Sequence, residues 1–363
     1  MTLEHPMGLL GMPSSSTWVL GGSFVDTSYQ RNALAFDIYR RLGGWAPEVR
    51  YINLLWHGQD YGLFTLGGKL DGDHLGLSQE GSKFLVCADW PKPATESLTT
   101  KATSTLFNVE FPRQVSASEL QDIQKTLDST DCCTADAADG AAACAGTSDG
   151  CQLGSLLDFT SFARYFVTEE LAKDGDGYAF SDFMVLEGGK IFQAGPWDFD
   201  LAFGYSCFAP FFYNPRTRLQ SIGTDGFNVE NVRNGTVQWV ENHYQWIPWY
   251  INKRQFFLNI WRNAAFRAEF SAVWRAARAG PLSDSALDQM VLERAASIAA
   301  AAKRDLAIWH PQQADRCMFF TCCHREDVED FEASTENLRR FLLGRAHWVD
   351  AHLGELVGEA SGP

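Results

Sequence analysis

Asp174-Gly175-Asp176-Gly177-Tyr178-Ala179-Phe180-Ser181-Asp182, running on through Glu187-Gly188-Gly189-Lys190 to Gly195-Pro196-Trp197-Asp198-Phe199-Asp200, is the stretch on which the fold turns. Tyr178 to Glu187 and Lys190 to Ala194 are rich in β-formers and flank a Gly188-Gly189 turn, which reads as a β-hairpin. A hairpin returns the chain to the end where it began, so Asp176 and Asp198 can meet at one rim although they are distant in sequence. Several carboxylates at one rim suit a hard cation such as Mg²⁺, which prefers oxygen ligands and accepts phosphates as co-ligands. A plainer reading stands beside this one. Asp-Gly-Asp-Gly is a common surface turn, and Trp-Asp pairs often only cap or pack. An EF-hand loop is a poorer match, because Tyr178 and Ala179 fall where that loop needs an oxygen ligand and a glycine.

Ahead of the hairpin, Phe159, Phe162, Ala163, Phe166 and Val167 recur at helical spacing and predict an amphipathic helix. Ser116-Ala117-Ser118-Glu119 is a capping box before Leu120, Ile123 and Leu127. Between these helices, residues 129–152 are almost all Asp, Ala, Gly, Thr, Ser and Cys, which cannot build a core. They are expected to form an exposed insertion. Further back, Trp18 to Phe24 reads as a strand, and Tyr29 to Leu42 as a helix stopped by Gly43-Gly44, with Asp26, Thr27 and Ser28 as candidate caps. Tyr51 to Trp56 and Tyr61 to Leu66 form a hairpin around His57-Gly58-Gln59-Asp60, and Lys83 to Cys87 is another strand. From Asn242 onward the chain reads as helical, with one long Ala-rich helix over Ala286 to Trp309 and another around Leu338 to Val349. The expected class is therefore α+β, a small β-rich unit followed by a helix-dominated one. No internal repeat appears.

Composition bounds the function. The chain has 363 residues with 26 Phe and 12 Trp, too aromatic a sequence to be disordered throughout. Lys and Arg total 30 against 45 Asp and Glu, a net charge of −15 that repels a phosphate backbone, so nucleic acid is not an expected partner. No apolar run reaches the about 18 residues that a membrane-spanning helix needs. Met1 to Ser16 lacks the layout of a signal peptide. Nine cysteines include Cys132, Cys133, Cys144 and Cys151 in one polar stretch and Cys317, Cys322 and Cys323 near the end. Their spacing supports zinc poorly, and disulfides within these loops are the better reading. Such pairing implies an oxidising compartment, which the absent signal peptide does not support. The sequon Asn234-Gly235-Thr236 adds little, and the compartment stays open.

Helix, Asp-bearing loop, hairpin and Asp-Phe-Asp turn is also the order found in protein kinases. There one Asp orients the attacking hydroxyl and another holds metal on the nucleotide phosphates. Five past the first kinase Asp stands an Asn metal ligand; five past Asp176 stands Ser181, with Asp182 beside it. Five stretches then carry a resemblance to the spore-coat protein H (CotH) kinase-like family of atypical protein kinases. They are Trp18-Val19-Leu20 with Asp26 and Arg31-Asn32, the run His57 to Phe64 continuing to Lys69, and the block from Asp176-Gly177-Tyr178 to Gly195-Pro196-Trp197-Asp198-Phe199-Asp200-Leu201-Ala202-Phe203-Gly204. Trp246-Ile247-Pro248-Trp249 with Phe266 and Trp274-Arg275, and Leu338 to Trp348 with Arg345, complete the set. The block ending at Gly204 is the specific one.

The resemblance implies a two-lobed atypical protein-kinase-like fold over residues 1–355. The β-rich N-lobe would occupy 1–115 and the helical C-lobe 116–355, with a tail at 356–363. It implies transfer of the γ-phosphoryl of ATP to Ser or Thr of a protein substrate, with Mg²⁺ or Mn²⁺. Asp176 would be the catalytic Asp, Asp198 the metal-binding Asp and Asp200 its assistant; Arg31, Lys69 and Ser181 would lie on the nucleotide side. A plain salt bridge competes for Arg31, a solvated surface position for Lys69, and a turn-holding role for Asp200. Two departures are visible. The family's lysine-ending segment ahead of Trp18 has no equivalent, so the N-lobe reads as truncated, and the usual Glu before Lys69 is Gly68. A catalytically weak or inactive surface or adhesion protein is therefore the alternative. A glycoside hydrolase, suggested by the many Trp and the paired carboxylates, ranks last because most Trp fall on predicted helices and strands.

Overall fold

The computed structural model describes residues 1–23, 26–79, 82–93, 95–135, 144, 150–204, 224–225, 227–230, 248–313 and 330–357. Phe24, the Asn234 sequon, Trp246-Ile247, and Cys317, Cys322 and Cys323 lie outside them. The chain up to Gly195 holds two antiparallel sheets. One has four strands in the order β1-β2-β4-β3, formed by β1 (Thr2–Met7), β2 (Ser15–Gly22), β3 (Val49–Trp56) and β4 (Gln59–Gly68). Between β2 and β3 runs helix α1 (Arg31–Arg41). The hairpin joining β3 to β4 turns on His57 and Gly58, both at positive φ (49° and 79°), the conformation of the primed turns that match strand twist.

The second sheet has the order β6-β7-β5-β8-β9, from β5 (Lys83–Ala88), β6 (Ser97–Thr99), β7 (Leu106–Phe111), β8 (Asp182–Glu187) and β9 (Lys190–Gly195). β8 and β9 are the expected hairpin. Its first arm begins at Asp182, not Tyr178, because Tyr178 (φ 66°) and Ser181 (φ 56°) sit in the left-handed region and cannot extend a strand. Strand β5 pairs with β8 from Lys83↔Glu187 to Ala88↔Asp182. The sheet therefore spans the division expected near residue 115.

Helix α2 (Ala117–Thr134) starts at Ser116 with both halves of the capping box formed. It reaches into the stretch expected to be an exposed insertion, a correction for residues 129–134: Thr130, Asp131 and Cys132 are buried. The reason is local. The Asp131 carboxylate accepts hydrogen bonds from the Ala102 and Thr103 backbone N–H groups and the Thr103 hydroxyl, anchoring the last turn. Cys132 pairs with Cys144 and Cys133 with Cys151, so disulfides staple this region and zinc is not needed to explain these four cysteines. Thr2–Met7, ahead of the first element expected at Trp18, form β1; their side chains do not alternate, so no period announces the strand.

After the one-turn α3 (Leu153–Leu156), helix α4 (Phe159–Ala172) is the centre of the core. Asp158 caps it by accepting from the Ser161 N–H. Phe162, Ala163, Phe166 and Val167 are fully buried, as their spacing predicts. Each such Phe contributes roughly 1.5–3 kcal/mol of burial. The Phe166 ring lies 4.8 Å from Tyr178 and 4.9 Å from Phe266. Helices α5 (Pro248–Arg262), α6 (Ala264–Arg278), α7 (Asp284–Gln313) and α8 (Phe331–Leu356) complete the helical half. Helix α7 packs against both α8 and β4 and ties the four-stranded sheet to the helices. Among the described residues, no helix is long and apolar enough to cross a membrane.

Candidate active site

Helix α4 ends on Lys173 in the left-handed conformation (φ 48°), with its N–H on the Glu169 carbonyl at 2.7 Å. The reversal throws the chain into the loop Asp174–Ser181. Asp176 anchors that loop: its N–H donates to the Asp174 carboxylate, and its carbonyl accepts from the Ala179 and Phe180 N–H groups at 3.1 Å. Gly177 packs directly on the Glu169 carboxylate, where a Cβ would collide with Oε2. The Tyr178 hydroxyl donates to Glu170 at 2.9 Å. Two non-glycine residues at positive φ in one short loop mark strain held in place by its surroundings.

Beneath the loop, Glu169 is buried, and desolvation together with the charges of Asp174 and Asp182 pushes its carboxyl well up. The Tyr165 hydroxyl of α4 donates to Asp182 beside Glu169. The floor of the loop thus favours a protonated, neutral Glu169.

At the other end of the hairpin, Asp198 stands at φ 69° and is exposed to solvent, while Phe199, Ala202 and Phe203 are buried. The Phe203 N–H closes the turn onto the Ala172 carbonyl at 2.6 Å, tying it to the end of α4. Protein still surrounds the Asp198 carboxyl on most sides. Desolvation and then the neighbouring Asp89 raise it, against a hydrogen bond from the Ser181 hydroxyl. Asp200 is half-buried and pushed up to about 7, first by burial, then by Asp198 and Asp26, with Arg31 opposing.

The structure sets the Ser181 hydroxyl beside the Asp198 carboxyl and places Asp200 within their field. Asp176 stands at the start of the loop that ends on Ser181, with its backbone held by Asp174, Ala179 and Phe180. Arg31 is buried behind the turn: its Nε donates to the Ala202 carbonyl at 2.9 Å, and its guanidinium pairs with Asp26. Lys69 is exposed immediately after β4, on the four-stranded sheet and not on the sheet that carries the carboxylates.

Sequence reasoning passed over three neighbours. Asp89 reaches the site because Ala88 pairs with Asp182, which sets the residue after β5 beside Ser181. Trp90 follows it, stacked on Phe180 at 5.1 Å and half exposed. Asn32, quoted as part of a motif but assigned no role, accepts the Phe199 N–H at 2.6 Å. Asn32 had a signal in its place beside Arg31 at a helix start; Asp89 and Trp90 had none short of the strand register.

Among the described residues, no group of three or more His, Cys, Asp or Glu side chains forms a metal cage. Two crowded carboxylates and a hydroxyl are a different donor set. They fit Mg²⁺ or Mn²⁺, ions of the kind held by one or two carboxylates with waters and substrate phosphates filling the remaining positions.

A β-rich half, a helical half and a hairpin strung between two Asp-bearing loops define a kinase-like α+β protein. The family model described as CotH kinase protein matches residues 4–349, and the chain belongs to that family. Membership carries a kinase-like function at the level of the family. A search of curated proteins found no match.

Proposed function

We propose that the chain is an atypical protein kinase that transfers the γ-phosphoryl group of ATP to Ser or Thr of a protein substrate, with Mg²⁺ or Mn²⁺. The observation that carries this reading is Asp198. It is held in the left-handed conformation, presented to solvent beside Ser181, and neighboured by an Asp200 whose carboxyl is raised to about 7 by burial and by Asp198 itself. A divalent cation would relieve both carboxylates, and when bound it supplies charge neutralisation to the nucleotide phosphates. Asp198 and Asp200 would hold the ion, with the Ser181 hydroxyl beside them. Asp176 orients the acceptor hydroxyl and takes its proton. Arg31 supports the turn from behind, and Lys69 is the phosphate-side candidate on the four-stranded sheet. Positioning and charge are most of what phosphoryl transfer asks of a protein.

The test is phosphate incorporation into the protein itself and into a generic protein acceptor, with ATP and Mn²⁺, for wild type and Asp198→Ala. Incorporation that falls by at least about 100-fold in the variant supports the reading, the scale expected for loss of transition-state charge stabilisation. Equal or absent incorporation in both ends it.

A second reading, a surface or adhesion protein with weak or no catalysis, is favoured by the disulfides Cys132–Cys144 and Cys133–Cys151. Such bonds persist in oxidising compartments. Under that reading, a CotH-like pseudokinase at a surface, phosphate incorporation is negligible in wild type and Asp198→Ala alike, even where ATP and Mn²⁺ raise the melting temperature.

A further inference from the structure

The turn that carries Asp198 and Asp200 is gripped at both ends by two consecutive residues of α1. Asn32 Oδ1 accepts the Phe199 N–H at 2.6 Å, and Arg31 Nε donates to the Ala202 carbonyl at 2.9 Å. We propose that Asn32, seconded by Arg31, is the positioning residue that presets the Asp198–Ala202 turn for a divalent cation before the ion arrives. This rests on the metal reading above and adds a residue that the reading does not contain.

Asp198 lies at φ 69°, in the left-handed region that a non-glycine residue keeps only where its surroundings enforce it. The peptide joining Asp198 to Phe199 is held by Asn32, so this bond bears directly on where the Asp198 carboxylate points. Asn32 Oδ1 is committed to the Phe199 N–H and acts through the turn.

The template is itself fixed from several sides. Asp26 accepts the Arg31 N–H at 2.9 Å and pairs with the Arg31 guanidinium. The Tyr29 hydroxyl donates to Asp305 of α7 at 2.8 Å. Thr27 shares a hydrogen bond with Ser334 of α8 at 2.9 Å, and Gln30 reaches Thr335 at 3.4 Å. Residues 26–31 are therefore buried between the two long C-terminal helices and the turn. A segment pinned in this way holds the turn in one geometry and spares the ion the work of ordering it.

The test uses the full chain and Mn²⁺ alone, titrated by the electron paramagnetic resonance signal of the free ion, on wild type, Asn32→Ala, Asn32→Asp and Asp198→Ala. Loss of a supporting residue weakens metal binding by about 10- to 100-fold. Asn32→Ala is expected to show that loss with its melting temperature nearly unchanged, while Asn32→Asp, which keeps the acceptor oxygen, retains binding. Wild-type affinity in Asn32→Ala overturns the proposal while leaving the metal reading intact. Wild type that binds Mn²⁺ no better than Asp198→Ala overturns both. Hydrogen exchange on the wild type gives a readout that needs no variant. The peptide covering residues 198–203 should be protected without metal; free exchange there until Mn²⁺ is added contradicts a preset turn.

Discussion

Arg345 on α8 and Glu170 on α4 form an ion pair at 2.9 Å with both side chains wholly removed from solvent. The Glu170 carboxylate also accepts the Tyr178 hydroxyl at 2.9 Å and the Asn228 and Val229 N–H groups at 2.5 and 3.0 Å. The guanidinium donates in turn to the Glu170 and Thr224 carbonyls and lies over the Trp348 ring. One buried pair thus fastens the closing helix to the helix that launches the Asp176 loop, and Tyr178 carries the fastening into the loop itself.

Breaking such a pair from one side strands a buried charge. Arg345→Met should destabilise the protein by about 3–5 kcal/mol, and Glu170→Gln combined with Arg345→Met should recover part of that loss. Urea denaturation of the two single variants and the double variant measures the coupling. Additive losses would mean that the pair does not act as a unit.

Lys173 sets a pH dependence. Burial, and then the charge of Arg345, lowers its ammonium from 10.5 to about 8, against Asp225 and Glu170. A base depressed in the native state gives up its proton there first, so between pH 8 and 10 the unfolded chain binds more protons and stability rises with pH. Below pH 8 the unfavourable buried charge is present in full. Relative to Lys173→Met, wild type should gain about 1–3 kcal/mol from pH 8 to 10. Chemical denaturation of both proteins across that range checks the sign, and parallel profiles would refute it.

These two residues also show what sequence reading reaches. The hairpin, α4 and the Ser116 capping box were legible because each is a local pattern, complete within one or two turns of chain. That the chain after β9 returns to the loop before β8 was legible because a hairpin's ends must meet. Arg345 and Glu170 stand 175 positions apart, and nothing in either neighbourhood announces the other. Asp89 depends on the β5–β8 register in the same way, and β1 on an edge that accepts a strand without alternation. What escaped was decided by long-range pairing.

The disulfides predict a redox dependence. Cys132–Cys144 and Cys133–Cys151 close loops of 12 and 18 residues from the buried last turn of α2. Loops of that size correspond to about 3 kcal/mol each through restriction of the unfolded chain. Cys132→Ser with Cys144→Ser should therefore lower stability by about 2–4 kcal/mol in oxidising buffer and by little under reductant. Peptide mapping without reduction checks the connectivity, and a stability indifferent to reductant in the wild type would contradict it.

The grip of α7 on the four-stranded sheet gives the last prediction. Asp305 accepts the Leu63 N–H at 2.6 Å with one oxygen and the Tyr29 hydroxyl with the other, while Trp309 Nε1 donates to the Tyr61 carbonyl at 2.9 Å. The approach is possible because residue 62 is glycine. It sits at φ 88°, and a Cβ there would collide with the Asp305 carboxylate. Gly62→Ala meets both a backbone penalty and a steric one, and Asp305→Ala orphans the buried Leu63 amide; each should cost about 1–3 kcal/mol. The two variants act on one contact, so their effects should not add. Since Tyr29 lies in the segment behind the Asp198 turn, the damage should also spread in a set order. Hydrogen exchange should quicken first across Val49–Gly68, then at residues 26–31, with the five-stranded sheet unchanged. Uniform acceleration over the whole molecule would show that α7 serves the core alone and carries nothing between the sheet and the site.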